Sequence, residues 1–269
     1  MRFWIFLVLA FVVLLSSCQI FFLAGVYEEL RDKYGIVYIY VSRSGNDAND
    51  GLSPSTPVRT LVKAMEIANA MDKAANVVIK VGSGVYTPGS GLSSSGSGFV
   101  IDRPNIVISG GWNSDFSSVV GESELDGNNS LYHVVMITNV TNVRLENLVI
   151  RGGNANGSYP DYSGGGIYVS GVSYLVIESN VVIKNNSANG SGGCVFLFGS
   201  QNTTISGGVY SNRAYWGGGL FLYYSDYFTN TGWITNNTAG SSGGGVYTNT
   251  SHPNSYFCHV VNNTPNNFN

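Results

Sequence analysis

Apolar residues in the second half of the chain come in short bursts, separated by glycine, asparagine and serine. Four bursts follow a glycine tract and alternate aliphatic with aromatic side chains: Gly164-Gly165-Gly166-Ile167-Tyr168-Val169, Gly192-Gly193-Cys194-Val195-Phe196-Leu197, Gly217-Gly218-Gly219-Leu220-Phe221-Leu222 and Gly243-Gly244-Gly245-Val246-Tyr247-Thr248. The first aliphatic residue recurs at 167, 195, 220 and 246, so the steps are 28, 25 and 26 residues. Alternation with a period of two predicts β-strands. Their regular recurrence predicts a solenoid in which each repeat is one turn of a coil.

Asparagine follows nearly the same period. The series is Asn185-Asn186, Asn212-Arg213, Asn236-Asn237 and Asn262-Asn263, and the steps from 185 to 212, 236 and 262 are 27, 24 and 26 residues. Asparagine tolerates left-handed turns, and its amide can hydrogen-bond to an identical amide one coil away. We therefore predict a structural asparagine ladder at a bend. The glycines are expected to serve turns that need positive φ or close packing.

In the first half of the chain, the pattern of residues 36–71 predicts one strand and one helix before the coils begin. Residues 36–41 are β-branched and aromatic, and residues 42–57 are dense in turn formers. Residues 58–71 have apolar positions at helical spacing, with Thr56 as the expected N-cap and Pro57 as the first helical residue. This amphipathic helix is expected to close the open apolar end of the solenoid.

From Asn76 onward the pattern is one of short strands, with inserts at residues 87–98 and 152–163. About 195 residues follow Met71, so turns of about 26 residues give roughly seven coils. The predicted fold is therefore all-β, a right-handed parallel β-helix of roughly seven coils with an N-terminal capping helix. The chain divides into a leader, a connector over 19–35, a strand, turn and helix over 36–75, and β-helix repeats over 76–269.

The first residues have the pattern of a secretory leader. One arginine precedes a long apolar run, and Leu15-Ser16-Ser17-Cys18 resembles the lipobox of bacterial lipoproteins, in which the cysteine thiol is acylated. Residues 1–18 are then a signal peptide and Cys18 is the lipidation site. Residues 19–26 are apolar again, so the alternative is an uncleaved membrane anchor over residues 3–26. Both alternatives place the body outside the cytoplasm, lipid-anchored to the bacterial envelope in the first case.

Charge is scarce, which excludes one large class of partners. Charged residues make up 11% of the chain and the net charge is −3. Because nucleic-acid binding needs clustered Lys and Arg, we expect no nucleic-acid partner. Cys194 and Cys258 are expected to be buried, unpaired thiols.

Two groups of residues carry a resemblance to known families. Tyr40-Val41-Ser42, Gly45-Asn46-Asp47, Asn49-Asp50-Gly51, Ser53-Pro54-Ser55-Thr56-Pro57, Thr60-Leu61 and Lys63-Ala64 resemble the N-terminal module of secreted right-handed parallel β-helix proteins, including pectate-lyase-like proteins and surface lipoproteins. The Gly-Gly-Gly-aliphatic-aromatic repeats and the Asn-Asn-Thr-Ala repeat at 236–239 resemble those of polymorphic outer-membrane and adhesin-like β-helices. The resemblance covers residues 38–269 and implies the fold. It implies no single activity, since β-helices host lyases, hydrolases, adhesins and scaffolds.

The aromatic residues of the alternating strands are the leading candidates for ligand binding. If the register holds, they stack coil on coil on the face opposite the aliphatic residues, as a stripe made of Tyr168, Phe196, Phe198, Phe221, Tyr223 and Tyr247. Such a stripe could bind sugar rings or dock a protein. The alternative is a self-stacked ladder that stiffens the sheet or lies under a loop. Further tyrosines and tryptophans in or near turns favour binding: Tyr159, Tyr162, Tyr215, Trp216, Tyr224, Tyr227 and Trp233.

Catalytic and metal-binding residues have weaker signals. Arg151 and Lys184 follow matching Val-Ile pairs 33 residues apart, so one turn could stack them, and Glu178 lies nearby in the sequence. A polysaccharide lyase needs a base and a cation of this kind. The signal for a hydrolase is weaker, because the Asp-Asp pair typical of polygalacturonase-like hydrolases does not occur in the sequence. Asp47, Asn49 and Asp50 partly resemble an oxygen-rich calcium loop. A turn capped by these side chains is the alternative, and no other cofactor is indicated.

These patterns favour a non-catalytic, adhesin-like or glycan-binding surface protein. Its expected partners are the membrane, through the lipid anchor, and a polysaccharide or surface protein. One alternative is a polysaccharide lyase or glycoside hydrolase that acts on acidic polysaccharide. Another is a structural module that stacks end to end, because residues 262–269 end on a repeat motif without an evident polar cap.

Overall fold

The computed structural model describes residues 35–250 and 255–269. Within these residues there is one α-helix, α1, Leu61–Asn69. The strands of the first three coils are β1 Ile36–Val41, β2 Asn76–Gly82, β3 Gly84–Pro88, β4 Gly91–Leu92, β5 Ser97–Ile101, β6 Ile106–Trp112, β7 Ser123–Leu131, β8 His133–Thr138, β9 Thr141–Glu146, β10 Leu148–Ala155 and β11 Ile167–Ser170. The later strands are β12 Ser173–Ile177, β13 Val182–Lys184, β14 Ser187–Ala188, β15 Val195–Phe198, β16 Thr204–Ile205, β17 Gly208–Tyr210, β18 Arg213–Trp216, β19 Leu220–Tyr223, β20 Thr229–Asn230, β21 Ile234–Thr235, β22 Thr238–Ser242, β23 Val246–Asn249, β24 Tyr256–Phe257 and β25 Val260–Val261.

Three long parallel sheets run along the molecule. The first sheet has the order β1-β2-β6-β9-β12-β16-β20-β24, and the third has the order β23-β19-β15-β11-β8-β5. In the second sheet the long strand β10 joins two rows, β13-β17-β21-β25 and β14-β18-β22, and it also pairs with β7. Each turn of the chain visits the three sheets in sequence, which gives six complete coils and a seventh that enters only the first two sheets among the described residues. The predicted parallel β-helix of roughly seven coils is confirmed.

Inward-facing aliphatic side chains form one continuous core. The first aliphatic residues of the four alternating strands, Ile167, Val195, Leu220 and Val246, pair in register and are fully buried. Successive strand residues point to opposite faces, so the aromatic residue that follows each of these aliphatic residues points away from the core.

The glycine tracts bring neighbouring coils into close contact. The first glycine of each tract has positive φ, with values of 73° at Gly164 and 65° at Gly192. The second glycine lies directly against the backbone of the next coil, and a Cβ atom at Gly165 would come 2.1 Å from the Ser187 carbonyl oxygen. Both expected roles of the glycines, positive φ and close packing, are therefore confirmed.

The asparagine ladder exists, but its register differs from the predicted one. The stacked residues are Asn186, Asn212, Asn237 and Asn263, all buried, and each Nδ2 donates to the next Oδ1 at 2.9–3.1 Å. Asn212 therefore aligns with the second asparagine of each pair. In each coil the residue directly before the ladder asparagine is exposed and has positive φ. In one coil this residue is a serine, Ser211, instead of an asparagine.

The helix begins later than predicted. Thr60 is the N-cap, and its hydroxyl accepts a hydrogen bond from the Lys63 amide at 3.0 Å. Val58 forms a parallel bridge with Val41 instead, because the Asp47 carboxylate holds the amides of Arg59 and Thr60 at 2.8 and 2.9 Å. The helix buries four of its side chains in the same core, as expected for an element that closes the end of the coils.

A buried arginine that sequence reasoning missed ties the helix to the coils. Arg103 is fully buried and donates to the carbonyl oxygens of Asp72 and Ala75 at 3.0 Å each, and to that of Ala68. These carbonyl groups lie at and just after the end of α1, where a positive charge is favoured.

The last described residues pair with the sixth coil. The amides of Gly245 and Val246 donate to the carbonyl oxygens of Asn266 and Asn267. Asn267 Oδ1 also accepts from the Asn263 Nδ2 at 3.0 Å and so continues the ladder. Asparagine side chains also accept from backbone amides here, Asn266 from Gly243 at 2.8 Å and Asn269 from Thr248 at 2.9 Å.

Candidate functional site

The predicted aromatic stripe is present on the outer face of the third sheet. Tyr168, Phe196, Phe221 and Tyr247 pair in register, and we call them the aromatic ladder. Their successive ring centroids lie 5.4, 5.5 and 4.9 Å apart in stacked geometry. Phe198 and Tyr223 form a second, shorter stack with centroids 5.5 Å apart.

Most of the aromatic ladder is covered. Tyr168, Phe196 and Phe221 are only 3%, 5% and 7% exposed. The cover includes the loop of residues 156–163, which we call the Tyr159 loop, and the Tyr159 side chain hydrogen-bonds to that of Tyr168. These three predicted ligand-binding residues therefore form a self-stacked ladder with the Tyr159 loop at its Tyr168 end, which corresponds to the alternative interpretation. Burial also raises the pKa of the Tyr168 phenol.

Other aromatic residues on this face remain accessible. Phe198, Tyr223 and Tyr247 are half-buried, while Tyr159 and Tyr224 are 59% and 55% exposed. The rings of Tyr223 and Tyr224 lie 4.5 Å apart, and a side-chain hydrogen bond between them raises the pKa of Tyr223. The charge interaction with the Tyr159 phenol also raises the pKa of Tyr223. We call Tyr159, Phe198, Tyr223 and Tyr224 the tyrosine platform.

Tyr224 occupies a backbone position that suits glycine. In the coils before it the equivalent residues are Gly171 and Gly199, and Tyr224 has a φ of 49°. A bulky residue in the left-handed region costs about 1–2 kcal/mol. Burial offsets little of this cost, because more than half of the side chain faces solvent. Strain of this kind at an exposed aromatic residue is typical of functional surfaces.

A buried histidine lies beneath the Tyr159 loop. The His133 ring packs against Tyr168 at a tilt, with centroids 5.0 Å apart, and its Nδ1 lies 2.9 Å from the Gly164 carbonyl oxygen. Its Nε2 faces Asp161 Oδ1 of the loop at 3.4 Å and makes no closer polar contact in the described part of the chain. Burial lowers the pKa of His133, although Gly164 and Asp161 both oppose that shift.

The weak catalytic candidates are only partly brought together. Arg151 and Lys184 stack in register on the second sheet, as predicted. Arg151, however, is paired with Glu124 at 2.6 Å and Asp126 at 2.9 Å. Glu178 lies in the turn before β13 and pairs with Arg144 at 3.0 Å. No described carboxylate forms an ion pair with Lys184, so the three candidates do not form one acid–base site.

The residues of the suspected calcium loop hold the turn before α1. Asp47 binds the Arg59 and Thr60 amides, and the Asn49 Nδ2 donates to the Pro57 carbonyl at 2.9 Å. Asp50 accepts from the Thr56 hydroxyl at 2.7 Å, which lowers the pKa of the Asp50 carboxyl. These contacts match the alternative of a side-chain-capped turn. Across 35–250 and 255–269, no group of three or more His, Cys, Asp or Glu side chains could hold a metal.

Several site residues escaped sequence reasoning. His133 and Asp161 are far apart in the sequence and meet only because the loop folds over the ladder. Tyr224 had a usable signal, since a tyrosine stands where neighbouring repeats have glycine. Cys194 and Cys258 are unpaired, as expected, but only Cys194 is buried.

Comparison with protein-family models, curated proteins and solved structures found no match to this chain. Cys18 and the alternative anchor over residues 3–26 lie outside the described residues. Among the residues that are described, no helix has the length and apolar character needed to cross a membrane.

Proposed function

We propose that this chain is a non-catalytic surface protein, lipid-anchored outside the cytoplasm, that binds carbohydrate through the tyrosine platform. The observation that carries the proposal is the exposure of Tyr159 and Tyr224 around the half-buried Tyr223, with Tyr224 held at a glycine-like backbone position. The resemblance to pectate-lyase-like and adhesin-like surface β-helices supports an extracytoplasmic location.

The chemistry of the platform suits sugars. Phenol rings offer apolar faces for the C–H groups of a pyranose and hydroxyl groups for hydrogen bonds to its alcohols. The platform consists of aromatic side chains only, so its contacts are stacking and neutral hydrogen bonds. The buried aromatic ladder beneath it acts as a rigid support, because each ring is stacked on the next.

A glycan-array screen followed by calorimetry tests this function. A single Tyr223→Ala change removes one stacking ring, and we expect it to weaken binding by about tenfold. Tyr38→Ala is the matched control, since Tyr38 is a partly exposed tyrosine on the first sheet. Failure of the protein to bind any glycan on the array, or equal losses in the two variants, would refute the proposed platform.

The lipid anchor has a separate test. Metabolic labelling with a fatty acid should modify the wild-type protein at Cys18 and leave the Cys18→Ser variant unlabelled. A wild-type protein that takes up no label would contradict the lipobox interpretation and favour the uncleaved anchor, and label retained in the variant would place the acylation at a residue other than Cys18.

One observation favours polysaccharide lyase activity as a second candidate, namely the stacking of Lys184 on Arg151. In a lyase, a cation in this place would neutralise a sugar carboxylate. Unsaturated-product absorbance on pectate or alginate that disappears in a Lys184→Ala variant would displace the binding function.

A further inference from the structure

Turns that enter the first sheet share one unusual backbone position. In five consecutive coils this position has positive φ, at Asn105, Asn142, Tyr174, Asn202 and Tyr227. The strands that follow pair in register, and the bridges from Ser173 to Gln201 and from Gln201 to Asp226 keep the turns themselves aligned. The five residues therefore form one row along the corner between the third and first sheets.

Tyrosine is out of place in this row. Asparagine enters the left-handed region readily, whereas a bulky side chain does so only at a cost. Tyr174 and Tyr227 have φ values of 60° and 54°, yet their side chains are 57% and 49% exposed. Packing does not explain their presence, since an asparagine at either position would serve the backbone better.

The order of residues along the row places two exposed tyrosines on either side of an asparagine, an arrangement that we call the slot. Adjacent strands lie about 4.8 Å apart, so Tyr174 and Tyr227 rise from backbone positions roughly 10 Å apart. Asn202 lies between them and is half-buried. Its amide supplies both hydrogen-bond donors and an acceptor at the floor of the slot. Two exposed aromatic rings with an amide between them suit a pyranose ring, which has apolar C–H faces and hydroxyl groups.

A shallow groove of about 490 Å³ continues from Tyr174 over the first sheet. Its floor includes Val78, Val107 and Val176, and its rim includes Asn142. Arg144 also lines the groove but is paired with Glu146 and Glu178, so it offers no free positive charge to an anion. This surface therefore disfavours an acidic sugar.

We propose that Tyr174, Asn202 and Tyr227 bind one sugar ring of an uncharged oligosaccharide, and that the neighbouring units of the same glycan lie in the groove. The inference rests on the proposed carbohydrate-binding function and specifies a second site and the ligand class. It uses none of the residues of the tyrosine platform, so the two sites can be inactivated separately.

The neighbouring coils supply the matched substitutions. Tyr174→Asn and Tyr227→Asn install the residue found at the same position of adjacent coils, and asparagine fits positive φ. We expect each variant to melt at the same temperature as the wild type or higher. Binding of uncharged hexasaccharides (cellohexaose, xylohexaose and mannohexaose as probes) should fall by at least about tenfold in calorimetry. Hexagalacturonate serves as the acidic probe and should bind more weakly than the best uncharged one.

Each outcome decides a different point. Unchanged binding in both corner variants, with loss in Tyr223→Ala, overturns the slot and leaves the platform intact. Loss in the corner variants, with full binding in Tyr223→Ala, supports the slot and refutes the platform. A lower melting temperature in Tyr174→Asn and Tyr227→Asn means that the rings serve packing, and tighter binding of hexagalacturonate means that the ligand class is wrong. Both results overturn the inference, as does the absence of binding to all four probes.

Discussion

Replacement of Asn237 by alanine removes the centre of the asparagine ladder and five side-chain hydrogen bonds with it. The Oδ1 atom accepts from the backbone amide and the Nδ2 of Asn212, both at 2.9 Å. The Nδ2 atom donates to Asn263 Oδ1 at 3.0 Å and to the carbonyl oxygens of Val209 and Thr235 at 3.1 Å. Asn237 is fully buried, so bulk water does not replace these partners in the folded state.

The expected loss of stability follows from these contacts. A buried hydrogen bond contributes about 1 kcal/mol net, and a buried amide left without an acceptor costs about 1–3 kcal/mol. The backbone N–H and the Nδ2 of Asn212 are the groups that lose their acceptor. We expect Asn237→Ala to lower the free energy of unfolding by about 3–5 kcal/mol, towards the lower end if a water molecule fills the vacated space.

Equilibrium unfolding in urea, followed by circular dichroism, measures this change. The control is Asn236→Gly, an exposed neighbour with a φ of 58° that glycine adopts without strain. We expect its effect to stay within about 0.5 kcal/mol. A loss of less than about 1 kcal/mol in Asn237→Ala, or an equal loss in the control, would show that the ladder does not stabilise the coils as argued.

Four further predictions test other parts of the structure. Arg103→Met should cost about 3 kcal/mol in urea unfolding, because the buried carbonyl groups after α1 lose their donor, and a wild-type midpoint would contradict this. Gly165→Ala should prevent close stacking of the coils and lower the melting temperature by more than Gly199→Ala, because Gly199 has open space around it and only its positive φ of 56° opposes a Cβ atom. Tyr224→Gly should raise the melting temperature, since glycine relieves the positive φ, and a decrease would mean that the ring packs structurally. Burial lowers the pKa of His133, so the unfolded chain binds more protons near its ordinary pKa of about 6.5. The free energy of unfolding should therefore be highest above the ordinary histidine pKa of about 6.5 and should fall as the pH drops through it. Thermal melts measure this change, and the melting temperature of His133→Asn should depend less on pH in the same range.

Local patterns accounted for most of the fold. The bounds of β1 were predicted to the residue, and the alternation at Ile167, Val195, Leu220 and Val246 predicted both the strands and their inward faces. Patterns of this kind are readable because the side-chain period of a strand is a property of adjacent residues. The asparagine register was misassigned because one coil has Ser211 where the others have asparagine, so counting from the first asparagine shifted that coil by one residue.

Contacts between distant parts of the chain decided the rest. The outward direction of the aromatic ladder followed from the sequence, but the burial of its first three rings depends on side chains from other coils, such as Met136 and Tyr247, that pack against them. In the same way, Arg151 and Lys184 stack as predicted, yet Glu124 and Asp126 approach Arg151 from the preceding coil. A repeat pattern specifies which face a residue takes. Only the tertiary structure shows what covers that face, because burial and ion pairing depend on atoms that are close in space and far apart in the sequence.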